Sequence, residues 1–299
     1  MLSYRHSFHA GNHADVLKHA ALCLVLEYLK KKDRPFVYID THAGRGIYDL
    51  TSREAEKTGE FHEGIEKLLT SGVRCPALEP YLGCLEALNP AEPAKRGQDP
   101  SEGETVRILR RYPGSPALAR LLLRPDDRMI FMELHSNEFP ELRKAMEGGK
   151  DHRITFHHRD GFEGLNAVVP PAIRRGAVLI DPSYETTGDY QKALDAAGAV
   201  LRKWAGATVM VWYPHLSGEK DHTVFMLEKA RKLNCPEKLV ASLWIQAPQD
   251  PGDGMYGSSL LICNPTYGLK NSLEDALRTV LPVLARTDGA KCMVRNLED

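Results

Sequence analysis

Between Asn12 and Lys32 apolar side chains return every three or four residues, at Val16, Leu17, Ala20, Ala21, Leu24, Val25, Tyr28 and Leu29. That spacing predicts a helix with one buried stripe. Asn12 stands where an N-cap belongs, and Lys30-Lys31-Lys32 sit at the end the helix dipole prefers for cations. Pro35 breaks the pattern, and Phe36-Val37-Tyr38-Ile39 reads as a buried strand ending on Asp40.

Strand and helix patterns alternate again further on. Strands are predicted at 128–134, 152–158, 177–180, 208–212, 239–245 and 258–263. Helices are predicted at 138–146, 190–204 and 223–233, with a short one from Phe162 and a last one from Leu273. With the first strand this makes seven. Such alternation implies mostly parallel strands joined by right-handed crossovers, a doubly wound α/β sheet.

The stretch from 49 to 111 breaks the rhythm. It holds helix-like pieces (Gly64 to Leu69, Pro80 to Leu88) and a polar linker from Asn89 to Glu104 rich in Pro, Gly and charge. It reads as a small helical insertion after the first strand, leaving 1–48 and 112–299 as the main domain.

Composition adds exclusions. With 42% hydrophobic and 26% charged residues the chain is an ordinary globular protein. No apolar run approaches the ~20 residues of a membrane span, and the N-terminus lacks the apolar core of a signal peptide, so a cytoplasmic protein is expected. The six cysteines form no Cys-x-x-Cys pair, which argues for buried free thiols over a thiolate metal site. A net charge of −1 argues against a generic nucleic-acid coat but leaves room for a local basic face.

Four strand ends carry candidate chemistry. Asp40-Thr41-His42-Ala43-Gly44-Arg45-Gly46 follows the first strand with the spacing Asp-x-x-x-Gly-x-Gly, unlike a dinucleotide fingerprint. An acid at the strand tip with Gly44 and Gly46 suits a ligand carrying an ammonium and no phosphate, such as the methionine part of S-adenosylmethionine (SAM); alone, a tight surface turn fits as well. Glu133 can accept hydrogen bonds from both ribose hydroxyls. Asp160 can accept from an adenine amino group, and Gly161 lets backbone approach the ring. The fourth end is Asp181-Pro182-Ser183-Tyr184. An exocyclic adenine amine is a poor nucleophile because its lone pair is delocalised. Asp181 and the Pro182 carbonyl can each accept one amine hydrogen, and Tyr184 can stack on a flipped-out base. A similar turn, Asn264-Pro265-Thr266-Tyr267, is assigned a structural role because it follows the last strand of the sheet. The N-terminal histidines His6, His9, His13 and His19 lack the carboxylate or cysteine spacing of a metal site, so no metal is expected.

The run from Met1 to His19 (MLSYRHSFHAGNHADVLKH) resembles the ribosomal RNA large subunit methyltransferase J (RlmJ) family. So do Asp40-Thr41-His42-Ala43-Gly44, Tyr112-Pro113-Gly114-Ser115-Pro116, Glu133-Leu134-His135 and Asp160-Gly161-Phe162. The resemblance implies a Rossmann-like class I SAM-dependent methyltransferase that makes N6-methyladenosine in 23S rRNA, at adenine 2030 in the family's reference numbering. It implies that Lys18, His19, His42, Ser115, Glu133, Asp160 and Gly161 contact the cofactor, that Asp181 accepts from the target amine and that Tyr4 touches the RNA. It also implies a monomer acting on protein-free rRNA. Where the family usually has Pro, this chain has Ser183, which frees φ and adds an N–H. A DNA adenine methyltransferase and a nucleic-acid-binding protein serving the use of external DNA are the alternatives.

Overall fold

The computed structural model describes residues 4–93, 105–146, 150–248 and 254–298. Met1-Leu2-Ser3 of the N-terminal run and residues 94–104 of the polar linker lie outside the described residues. In chain order the strands are β1 (Val37–Asp40), β2 (Ile47–Asp49), β3 (Glu92–Pro93), β4 (Thr105–Val106), β5 (Arg111–Pro113), β6 (Arg128–Met132), β7 (Ile154–His157), β8 (Gly176–Ile180), β9 (Thr208–Leu216), β10 (Lys238–Trp244), β11 (Met255–Cys263) and β12 (Lys291–Asn296). The helices are α1 (His13–Lys30), α2 (Arg53–Thr58), α3 (Lys67–Ser71), α4 (Glu79–Leu88), α5 (Ser115–Leu122), α6 (Glu138–Ala145), α7 (Gly161–Val168), α8 (Gly188–Lys203), α9 (Thr223–Arg231) and α10 (Leu269–Leu284).

The main sheet runs β12-β10-β11-β9-β8-β1-β6-β7. From β9 to β7 every neighbour pair is parallel, whereas β11 is antiparallel to both β9 and β10, and β12 is antiparallel to β10. The sheet is mostly parallel, as expected, with its antiparallel pairs at one end; it has eight strands, not the seven expected. Lys291-Cys292-Met293-Val294-Arg295-Asn296 escapes the hydrophobic pattern because an edge strand is only partly covered; its residues are exposed or half-buried, none fully buried.

Side chains alternate across the sheet and seed two apolar layers. Tyr38, Phe131, Leu179 and Met210 face one layer with α1, α4, α5 and α10; Ile39, Val178, Ile180, Val209 and Val211 face the other with α7, α8 and α9. The chain departs from β1 towards β6 and β7 on one side and is met by β8 and β9 on the other, so the topological switch lies at β1 and β8. Ligands bind in the crevice beyond the strand ends at such a point.

The segment 49–111 leaves and rejoins the sheet domain through the β2–β5 ribbon. Leu68, Leu78, Tyr81, Leu82 and Leu85 belong to the same apolar layer as α1. The piece expected to be helical from Gly64 begins as a π-type turn at His62–Glu66 kinked at Gly64, where the Gly11 carbonyl packs so close that an added Cβ would meet it at 2.1 Å. Cys23, Cys84 and Cys263 are buried free thiols, whereas Cys75, Cys235 and Cys292 are only half-buried. No helix among the described residues is long and apolar enough to cross a membrane.

Candidate active site

The tip of β1 turns sharply, with Gly44 at φ +60°. A Cβ on Gly44 would stand 2.3 Å from the Tyr48 hydroxyl, so only glycine fits. The Gly44 N–H donates to Glu133 Oε2 at 2.7 Å, and the His135 N–H donates to Glu133 Oε1 at 2.7 Å. Each Glu133 oxygen keeps a lone pair for a further donor. Burial raises the Glu133 pKa against the pull of these two N–H groups.

Asp40 plays a different part from the one its position suggested. It is fully buried, accepts from Tyr38 Oη at 2.8 Å and the His42 N–H at 3.2 Å, and does not reach the cavity described below. Burial pushes its pKa up to about 6, opposed by hydrogen bonds from Ser115 and Tyr38. Asp40 therefore holds the turn from inside instead of presenting a free carboxylate to a ligand. Gly46 also lies off the cavity.

At the tip of β7, Asp160 caps α7: its Oδ1 accepts from the Phe162 and Glu163 N–H groups at 2.8 and 3.0 Å. Oδ2 has no hydrogen bond among the described residues. A Cβ on Gly161 would overlap the Thr41 carbonyl at 2.0 Å, which is why α7 can begin hard against the β1 turn. His42 packs edge-on against Phe162, with ring centroids 5.0 Å apart.

The β8 tip leads into Asp181-Pro182-Ser183-Tyr184. Tyr184 adopts φ +53°, a left-handed conformation costly for a bulky residue. Its hydroxyl donates to the Trp212 carbonyl and its ring lies 4.3 Å from that of Tyr190, which together hold the conformation. Asp181 Oδ2 accepts from Lys18 Nζ at 2.6 Å.

Helix α1 delivers that lysine. Asn12 caps it as expected, accepting from the Ala14 and Asp15 N–H groups at 3.0 Å each. Lys18 is 4% exposed rather than solvent-facing, and its ammonium also lies 2.9 Å from Asp15 Oδ1. Burial alone would lower the Lys18 pKa; Asp15 and Asp181 outweigh it and raise it, so Lys18 stays protonated. Asp15 also accepts from His6 Nε2 at 2.9 Å, and His6 Nδ1 pairs with the Tyr4 hydroxyl at 2.9 Å. His19 pairs with Tyr112 at 2.7 Å, and burial drives its pKa down to about 3.

These groups wall one cavity of about 840 Å³, within the usual range of small-molecule sites. Tyr4, Lys18, His19, His42, Gly44, Ser115, Glu133, Asp160, Gly161, Asp181, Pro182 and Tyr184 all border it; Asp40 and Gly46 do not. Asp15 and Trp212 border it too and were not singled out from the sequence. Asp15 sits one helical turn before Lys18 and His19, a spacing that could have flagged it. Trp212 ends a hydrophobic run, and nothing in the sequence marks it. Among the described residues no group of three or more His, Cys, Asp or Glu is placed to hold a metal.

Residues 33–295 match the family described as "RsmJ: Ribosomal RNA large subunit methyltransferase D, RlmJ". The chain is 39% identical over 284 residues to ribosomal RNA large subunit methyltransferase J of Escherichia coli (strain K12), spanning 95% of this chain and 93% of that protein. The protein of the same name from Haemophilus influenzae is 37% identical over 287 residues, spanning 96% and 94%. Among solved structures, protein LPL1258 from Legionella pneumophila superposes with a TM-score of 0.82 at 31% identity, over 96% of this chain and 98% of that one. With its site at the switch point of a Rossmann-like sheet and similarity over nearly its whole length, this chain belongs to the RlmJ family of ribosomal RNA large subunit methyltransferases.

Proposed function

We propose that this protein transfers a methyl group from SAM to N6 of an adenine in 23S rRNA, the family's target adenine, acting as a cytoplasmic monomer on protein-free RNA. The observation that carries the reading is the placing of Asp181 and Pro182 in one cavity with Glu133 and Asp160. The donor set fits SAM. Glu133 offers two acceptor oxygens for a ribose diol, Asp160 Oδ2 an acceptor for an adenine amine, and the Gly44 turn a backbone face without a Cβ. His19, His42, Ser115 and Gly161 complete the wall around the cofactor.

SAM, when bound, supplies a methyl group on an electrophilic sulfonium. The protein's task is positioning. Lys18 occupies Asp181 Oδ2 and stays protonated. Oδ1 is then available to accept one N6–H, and the Pro182 carbonyl accepts the other. Both acceptors draw the amine towards a tetrahedral shape with its lone pair free. Tyr184 is locked by Trp212 and Tyr190, so it offers the adenine a preset wall. Tyr4, at the cavity mouth and stacked on His9 at 5.5 Å, meets the RNA beside the flipped base.

The test uses labelled SAM with protein-free 23S rRNA or duplex DNA, followed by digestion and identification of the labelled nucleoside. Label in N6-methyladenosine from RNA, lost in Asp181→Asn, is expected. Transfer to DNA alone, or to neither polymer, overturns the proposal.

A further inference from the structure

The cavity does not end at the residues that face cofactor and target amine. It continues along the sheet past Trp212 and Pro214 to Gln246, Met255 and Arg286. Because β11 is antiparallel, its first residue, Met255, lies at the same sheet end as Asp181, as does the end of β10. From β8 to β10 the sheet takes three strand steps, about 14 Å at the usual inter-strand spacing. That is farther than the adenine whose amine sits at Asp181 extends.

This far end has a distinct chemistry. Of the lysines and arginines that border the cavity, Lys18 is paired with Asp15 and Asp181, and Lys192 with Asp189. Arg286 is exposed and has no carboxylate partner among the described residues, while its backbone N–H is fixed to the Ile245 carbonyl at 2.7 Å. Opposite stands the N-terminus of α1, an 18-residue helix whose positive end favours anions. Its first residue, His13, borders the cavity, is 6% exposed, and has its Nδ1 buried with no hydrogen-bond partner. Burial first, and Arg286 second, lower the His13 pKa to about 4, so the ring is neutral and keeps one N–H to donate. Glu60, a carboxylate on this wall, is already engaged by His9 at 2.7 Å and Asn12 at 2.9 Å.

We infer that this end of the cavity is a subsite for a backbone phosphate of a nucleotide flanking the target adenine, held by Arg286 with His13, Gln246 and the α1 N-terminus. The inference rests on the RNA reading above and extends it to how the strand is held. A guanidinium fork matches phosphate oxygens two at a time. A neutral histidine adds a donor, and the positive end of the α1 dipole adds favourable potential, without a second competing carboxylate. A phosphate anchored here sets the register in which the neighbouring base enters the Asp181 turn.

The experiment compares the full chain with Arg286→Gln and Arg286→Lys on a protein-free 23S rRNA fragment, measuring binding from low to moderate salt, methyl transfer and SAM affinity. For Arg286→Gln the expected results are RNA binding weakened about tenfold at low salt and a salt slope shallower by about 0.7, one single-strand phosphate contact. KM for RNA rises, while kcat at saturating RNA and SAM affinity stay as in the parent. Arg286→Lys keeps the slope and recovers part of the affinity, because the charge remains and the fork is lost. A parent that methylates the RNA while Arg286→Gln shows unchanged affinity and slope overturns the subsite and leaves the proposed function standing. A parent that neither binds nor methylates the RNA overturns both. Weaker SAM binding in Arg286→Gln also overturns the inference, since it places the arginine on the cofactor.

Discussion

Two turns of this protein share nearly the same local design. Asp181-Pro182-Ser183-Tyr184 follows β8 and Asn264-Pro265-Thr266-Tyr267 follows β11, and each holds one of the two non-glycine residues with positive φ among the described residues: Tyr184 at +53° and Asn264 at +51°. They end up at opposite ends of the sheet. β8 runs parallel to β1 and delivers its turn to the cavity. β11 runs the other way, so its turn lies off the cavity, where Asn264 Nδ2 donates to the Ala205 and Ala207 carbonyls at 2.9 Å each and Tyr267 is 89% exposed. Local chemistry is thus not enough to make a site. Strand direction decides which turn faces a ligand.

The sharpest way to break this comparison is a reciprocal exchange. Asp181→Asn should reduce methyl transfer roughly 10²-fold to 10³-fold, the usual effect of removing one preorganised group from a reacting centre, and should also lower stability, because the buried Lys18 loses one of its two carboxylate partners. Asn264→Asp should leave transfer unchanged and lower stability by about 1–2 kcal/mol, because two backbone carbonyls lose their donor. Steady-state rates and urea unfolding of both variants check this. Equal rate losses would mean that the two turns are not functionally distinct.

Lys18→Met sharpens the cavity side. It removes the cation shared by Asp15 and Asp181, and breaking a buried pair by deleting one partner costs about 3 kcal/mol. An unfolding midpoint equal to the parent's would show that the ion pair is not structural.

The next effect depends on pH. His13 has a folded pKa of about 4 against about 6.5 when unfolded. The unfolded chain then binds the extra proton as pH falls, so this group's contribution is present above pH 6.5 and is lost towards pH 4. Asp40, raised to about 6, acts in the opposite sense over part of that range, which makes a difference measurement necessary. Relative to the parent, His13→Gln should gain about 2 kcal/mol between pH 7 and pH 5. A constant gap between parent and His13→Gln would refute the assignment.

The smallest effect concerns Ser183. Its N–H has no backbone hydrogen bond and its φ is not positive. Ser183→Pro should therefore stabilise by about 0.5 kcal/mol through the unfolded chain and change the rate little. A large rate change would show that the flexibility of this loop matters more than its two acceptors.

Much of this molecule follows from local pattern. The spacing of Val16 to Leu29 and the Asn12 cap determine α1, and the apolar runs ending on Asp40 and Ile180 determine β1 and β8, because a buried stripe or strand needs those side chains wherever it is placed. The chemical type of the site residues was equally legible, since acids at strand ends stand out against apolar runs. What the pattern could not supply were relations between distant segments. The edge strand β12 reveals itself only through pairing with β10. The antiparallel direction of β11 separates the turn at Asn264 from the one at Asp181. The inward tilt of Asp40 follows from its bonds to Tyr38 and the His42 N–H rather than from its place at a strand tip. Lys18 is buried because Asp15 and Asp181 meet it from two elements, a pairing its place in α1 does not reveal. Residue type and spacing are properties of the chain alone; which groups share a dry cavity, and so which charges neutralise one another, is a property of packing.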